Sequence, residues 1–157
     1  MLGKAMAMIG KNIVRLLTIL ACLILLIPPC YAQKPMLLEI ESTHENYDGP
    51  GDPVGEQVVD HLKKLIAKSD SLKLTSEQEP RLKLIIQTFD PLSQKVHLFT
   101  VFSFIFVYMD KPNMVPIYVM SAMGYAHRDD VAQAAEQLNT KVHMIARNIM
   151  KSLEAKH

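Results

Sequence analysis

The chain has 157 residues, with 17 Lys and Arg against 16 Asp and Glu, a formal charge of +1 that leaves no basic excess for nucleic-acid phosphates. Its two cysteines, Cys22 and Cys30, both fall within the first 32 residues. Loss of that stretch would leave a 125-residue domain near the modal domain size, with no disulfide, thiol nucleophile or cysteine metal site.

Residues 1–32 have the build of an export signal. Lys4, Lys11 and Arg15 come without an acidic residue, Leu16 to Ile27 is apolar, and Pro28-Pro29 leads to Cys30-Tyr31-Ala32, after which cleavage is expected. Two other readings are an uncleaved anchor and a lipoprotein. An anchor needs about 20 apolar residues, and the run reaches that length only by taking in Arg15. For lipidation, Cys30 follows a proline rather than a small residue, whereas Ile19-Leu20-Ala21-Cys22 is closer to an acylation box. Cleavage removes three basic residues and no acidic one, leaving a formal charge of −2. The expected location is the periplasm or the outside of a bacterial cell, with membrane contact only through the signal.

Residues 33–53 are expected to be a flexible N-terminal segment ahead of one domain over 54–157. A short strand over Met36 to Ile40 is followed by "ESTHENYDGPGDP", rich in Asn, Asp, Gly and Pro. Asp52 before Pro53 is a favoured pairing of N-cap and first helical residue. Val54, Val58, Val59, Leu62, Leu65 and Ile66 then recur at helical spacing, opposite a polar stripe of Glu56, Asp60, Lys63, Lys64 and Lys68. "SLKLT" predicts a brief strand and Arg81 to Phe89 a longer one, ended by Asp90-Pro91.

The run from Leu98 to Met109 is uncharged and apolar at both odd and even positions; its β-branched and aromatic residues predict a strand. "DKPN" connects it to a further strand over Val115 to Ala126, in which Gly124 predicts a bulge. Asp130 with Gln133 has capping-box spacing. Val131, Ala135, Leu138, Val142, Ile145, Ile149 and Leu153 then step by four and three, predicting a helix laid on a sheet or, alternatively, a coiled-coil seam.

The predicted fold is α+β: a two-layer sandwich in which an antiparallel β-meander of three to five strands carries two helices, one before and one after the meander, on one face. Two helices shield only one side of the sheet. One alternating set of the uncharged strand, Phe99, Val101, Ile105 and Val107, or its complement Phe102, Phe104 and Phe106, is then left outward, where such sheets normally place polar residues. Phe99, Val101, Ile105 and Val107, with Val119 on the next strand, are taken as the candidate interaction face. Its cover is expected to be residues 33–53 folded back, a second copy of the chain, or another envelope component.

No motif commits the chain to catalysis. "HRDD" at 127–130 matches a kinase triplet without the Gly-rich loop, strand lysine or Asp-Phe-Gly that give it meaning. His127, Asp129 and Asp130, or His44, Glu45 and Asp48 with His61, would supply metal donors but lack ligand spacing. Met36, Met109, Met114, Met120, Met123, Met144 and Met150 suit copper(I) or an adaptable surface, yet they serve equally as core filling. Met120 and Met123 are expected on opposite faces of their strand. Ser103 and Ser121 have no nucleophile elbow, and Asp90 and Asp110, ending successive strands, could form an acid/base pair but are commoner as turn starters. No cofactor is implied.

The stretches "DPVGEQVVDHLKKLIAKSDSLKL", "RLKLIIQTFD", "VFSFIFVYMD" and "VPIYVMSAMGYAHRDDVAQAAEQL" resemble small exported bacterial proteins of uncharacterised function over about residues 52–142. In that group a cysteine often stands between the last strand and the helix; here Tyr125-Ala126-His127 occupies the place. The element order is also similar to helix-and-sheet interaction modules of envelope assemblies, which implies protein binding. The expected function is a non-catalytic envelope protein binding another protein or itself through a sheet face or edge, with a small-ligand or metal carrier as the alternative.

Overall fold

A computed structural model describes residues 34–77, 80–92, 97–110 and 115–155. The signal expected over residues 1–32 lies outside them, as do Met114 and residues 111–113 of the expected tight connection.

Strand β1 spans Met36–Asn46, and a two-residue β2, Gly49–Pro50, turns back on its end. Gly49 and Gly51 hold φ of +143° and +106°, which side chains with a Cβ rarely adopt. Helix α1, Pro53–Ile66, starts where Asp52 accepts a hydrogen bond from the Gly55 amide at 2.9 Å, with proline at the first position. Its stripe of Val54, Val58, Val59, Leu62 and Ile66 is buried. Then come β3 (Leu72–Leu74), β4 (Arg81–Asp90), β5 (Phe99–Met109) and β6 (Ile117–His127). A short 3-10 turn, Arg128–Asp130, leads into α2, Val131–Glu154.

These strands form one mixed sheet of six, which corrects the expected antiparallel meander of three to five. Apart from the small β1–β2 hairpin, consecutive antiparallel pairing is confined to β4, β5 and β6; β1 runs parallel to both β3 and β4. The antiparallel expectation rested on short links, but α1 and β3 lie between β1 and β4, and a crossover of a dozen or more residues permits parallel pairing. Leu38 of β1 faces Leu74 on one edge and Leu82 on the other, so β1 is an interior strand. The stretch 33–53, expected to stand apart as a flexible segment, therefore carries the strand that joins β3 to the rest.

Burial alternates along β4 and β5. Leu82, Leu84 and Ile86 of β4 and Phe102, Phe104 and Phe106 of β5 pack with Val58, Leu62 and Ile66 of α1 and with Ala135, Leu138 and Val142 of α2 in a single core. The three phenylalanines line up along β5, with ring centroids 6.3 and 5.6 Å apart. The bulge in β6 sits at Val119, opposite the step from Phe106 to Val107, and not at Gly124. Gly124 answers a different need: a Cβ there would lie 2.7 Å from the Phe102 ring. The predicted capping box is also corrected, because Asp130 makes no side-chain cap bond; His127 instead accepts from the Asp129 amide at 3.2 Å.

Candidate functional site

The second face of the sheet, away from the helices, is built from the odd-numbered residues of β1, β4 and β5 and from Ser121, Met123, Tyr125 and His127 of β6. Its two halves differ in chemistry. On the β1–β4 half, Glu39 is paired with both Arg81 and Lys83 (3.2 Å to Lys83), and Lys83 reaches Glu41 at 2.5 Å. Burial opposes ionisation of Glu39, but hydrogen bonds from Arg81 and Lys83 outweigh it and hold the carboxyl below its ordinary value. The bond to Glu41 raises the Lys83 ammonium above its own.

The β5–β6 half is mostly apolar, interrupted by Ser103 and Ser121. Cross-strand rows set Phe89 beside Val101 and Tyr125, and Ile85 beside Ile105 and Ser121. Phe89, Ile105, Met123 and Tyr125 are 40%, 38%, 76% and 79% exposed. An open depression of about 330 Å³ runs across all four strands of the face, bordered by Thr43 of β1, Gln87 and Phe89 of β4, Ser103 of β5 and Met123 of β6, and farther along β6 the Tyr118 hydroxyl donates to or accepts from Ser121 at 3.0 Å. Of the residues selected from sequence, Phe99, Val101, Ile105 and Val107 lie on this face, half-buried or exposed. Val119 does not: the bulge turns it to the helix side, where it packs against the core. Tyr118, Tyr125, Met123 and Phe89 were missed, although Tyr125 and Met123 share the odd parity that marks the face on β5.

A second polar constellation lies at the other end of the core, where α1 begins. Asp52, Thr88, Asp90 and Thr100 are all buried. The Thr100 hydroxyl donates to Asp52, whose other oxygen takes the Gly55 amide. Asp90 accepts from the Leu92 amide at 2.9 Å and bonds His97 Nδ1 at 2.7 Å. His97 holds a φ of +29°, a strained backbone for a non-glycine residue. Thr88 bonds His44 Nδ1 at 2.8 Å, and His44 Nε2 meets Ser42 at 3.1 Å. Each polar group is thereby engaged, and neither surface cleft described in this section is lined by His97. The arrangement ties α1 and the β4–β5 turn to the sheet.

The other candidates separate. Asp90 and Asp110 lie at opposite ends of an antiparallel pair, because Arg81 faces Met109 while Phe89 faces Val101. His61 bonds its own helix at the Gln57 carbonyl, and His143 lies on α2 beside Ser71, its imidazole lowered by burial and by Arg147. Met120 packs against the core while Met123 faces out. Among the described residues no three His, Cys, Asp or Glu side chains converge as metal ligands, and no helix is long and apolar enough to cross a membrane.

On the helix side of the β6 edge, a cleft of about 370 Å³ separates the strand from α2, lined by Phe102, Gly124, Ala126, Asp130, Gln137 and Lys141 among others.

No family model and no curated protein matches the chain. Similar solved structures include a minor lipoprotein from Acinetobacter baumannii, 13% identical, with a TM-score of 0.35 over 71% of this chain and 93% of that one. A PelC dodecamer from Paraburkholderia phytofirmans is 14% identical, with a TM-score of 0.36 over 68% and 88%. Rare lipoprotein B from Shewanella oneidensis is 12% identical, with a TM-score of 0.31 over 77% and 99%. Nothing about location, partner or assembly transfers from these proteins at such scores.

Proposed function

We propose that the chain is an exported cell-envelope protein that acts by binding another protein chain through the β5–β6 half of its helix-free sheet face, without catalysis. The observation that carries this reading is the contrast between the two halves of that face. On β1 and the start of β4 the face is finished with the paired charges of Glu39, Glu41, Arg81 and Lys83, as a solvent-facing sheet should be. Across the rest of it, Phe89 at the end of β4, Ile105 of β5 and Met123 and Tyr125 of β6 are open to solvent. Full burial of such a side chain is worth roughly 1.5–3 kcal/mol, most of which Met123, 76% exposed, leaves unrealised, and clustered exposed apolar side chains mark a contact surface. Export follows from the build of residues 1–32, and envelope residence is the compartment that such a signal serves.

A photoreactive residue placed at Ile105 tests the reading in living cells. Irradiation is expected to give a discrete protein adduct there and none from the same residue at Glu56, on the exposed side of α1. Absence of an Ile105 adduct in cells that export the protein overturns it.

A further inference from the structure

We infer that the chain also pairs with a second copy of itself, joined two-fold along the free edge of β6 so that the two sheets become one. This goes beyond the proposed function, because pairing at the edge leaves the sheet face with Ile105 and Phe89 free for a partner. Among the described residues no strand lies beyond β6, so its outward N–H and C=O groups are unpaired. Natural edge strands are guarded by charge, proline or a bulge. Here Pro116 and the bulge at Val119 protect only the start; from Met120 to Ala126 the strand carries no charge, no proline and no irregularity.

The identity of the occupant comes from charge complementarity on α2. Along the lip of the cleft beside this edge, the residue that opens α2, Asp130, is followed by Ala134, Gln137 and Lys141 of the helix. The spacing keeps them near one line, since eleven residues make about three turns and rise about 16 Å. Asp130 and Lys141 form no ion pair among the described residues, and Asp130 is not spent on capping its helix. A two-fold axis reverses the stripe against itself, setting Asp130 beside the partner's Lys141 and Ala134 beside the partner's Gln137. Opposite charges and a small residue facing a large one are what an isologous contact needs. The same cleft sets this part of α2 alongside Gly124 and Ala126 of β6, so one axis near Gly124 serves both strand pairing and helix apposition.

Sedimentation velocity on the full chain as exported tests the inference. The wild type is expected to sediment as a dimer. Asp130→Lys and Lys141→Asp each place like charges across the axis twice and raise the dissociation constant about tenfold; the double variant D130K/K141D restores it, which binding to an unrelated partner would not. Met123→Lys, at an exposed position, puts a cation beside the paired edge and yields monomer with an unchanged circular dichroism spectrum. A wild type that stays monomeric at every concentration overturns the inference. So does a dimer indifferent to M123K, or one that the double charge reversal fails to restore. A monomer whose Ile105 position still cross-links to a different protein removes the dimer and leaves the proposed function standing; a monomer without that adduct removes both.

Discussion

Gly55 shows how one residue can be fixed by neighbours far away in the chain. Within a helix, glycine is about 1 kcal/mol worse than alanine, so the first turn of α1 would gain from a methyl group. A Cβ at Gly55 would however stand 2.2 Å from the Thr88 hydroxyl oxygen and 2.5 Å from an Asp52 carboxyl oxygen. Both neighbours are buried and hydrogen-bonded, so neither can yield cheaply. Gly55→Ala is therefore expected to cost about 2–3 kcal/mol, read as a lowered urea midpoint; an unchanged or raised midpoint would show that Thr88 turns aside. The Asp52-Pro53 cap was legible, because its partner amide is three residues on. Its tie to Thr100 was not, since that hydroxyl arrives from 48 residues away and only the strand register brings it there. The Asp90–His97 bond escaped for the same reason: two polar residues flanking a turn say nothing of facing each other until the hairpin is closed.

At the scale of elements, β1 was the strand least visible in sequence. Beyond Ile40 it reads Glu41, Ser42, Thr43, His44, Glu45, with no apolar alternation at all. The structure supplies the reason: its outward positions carry carboxylates that meet β4 cations, and its inward ones reach the polar end of the core, where His44 meets Thr88. A strand whose two faces are both satisfied by polar partners leaves no hydrophobic period to detect. The strand pair predicts a pH response. Because the folded-state value of Glu39 is lowered, its contribution is complete above the ordinary carboxylate range and is lost as pH falls through that lowered value. Lys83, raised when folded, keeps its contribution below the ordinary lysine range and loses it as pH climbs through the raised value. Glu39→Gln is expected to lower stability by about 1 kcal/mol near neutrality. In urea titrations the gap to wild type closes in acid, where the wild-type carboxyl is protonated too. A gap that persists in acid once the wild-type carboxyl is itself protonated would mean that packing, not charge, is what Glu39 provides.

For the whole molecule, the sequence made legible the layer count and the two-sided apolar run of β5, hence a sheet with helices on one side and greasy residues on the other. It did not show that Glu39, Glu41, Arg81 and Lys83 neutralise one end of the open face as ion pairs, because that depends on β1 lying beside β4. The topology also ranks the strands by how firmly they are held. β4 has neighbours on both edges and lies under α1, whereas β6 has a neighbour on one edge. Amide hydrogen exchange is expected to be slowest in β4 and to split along β6, inward-bonded amides slow and outward ones fast at low protein concentration. Uniform protection of β6 at high dilution would contradict an edge that opens to solvent.

The interior position of β1 has a bearing on how the protein is made. A ribosome delivers this strand among the first parts of the domain, yet its long neighbour β4 is finished only at Asp90. Until then β1 has only β3 beside Met36, Leu37 and Leu38 and the small β2 beside Glu45 and Asn46, so the middle of the strand waits unpaired, the domain matures late, and premature release or a pause before residue 90 leaves an open strand seeking any stranger.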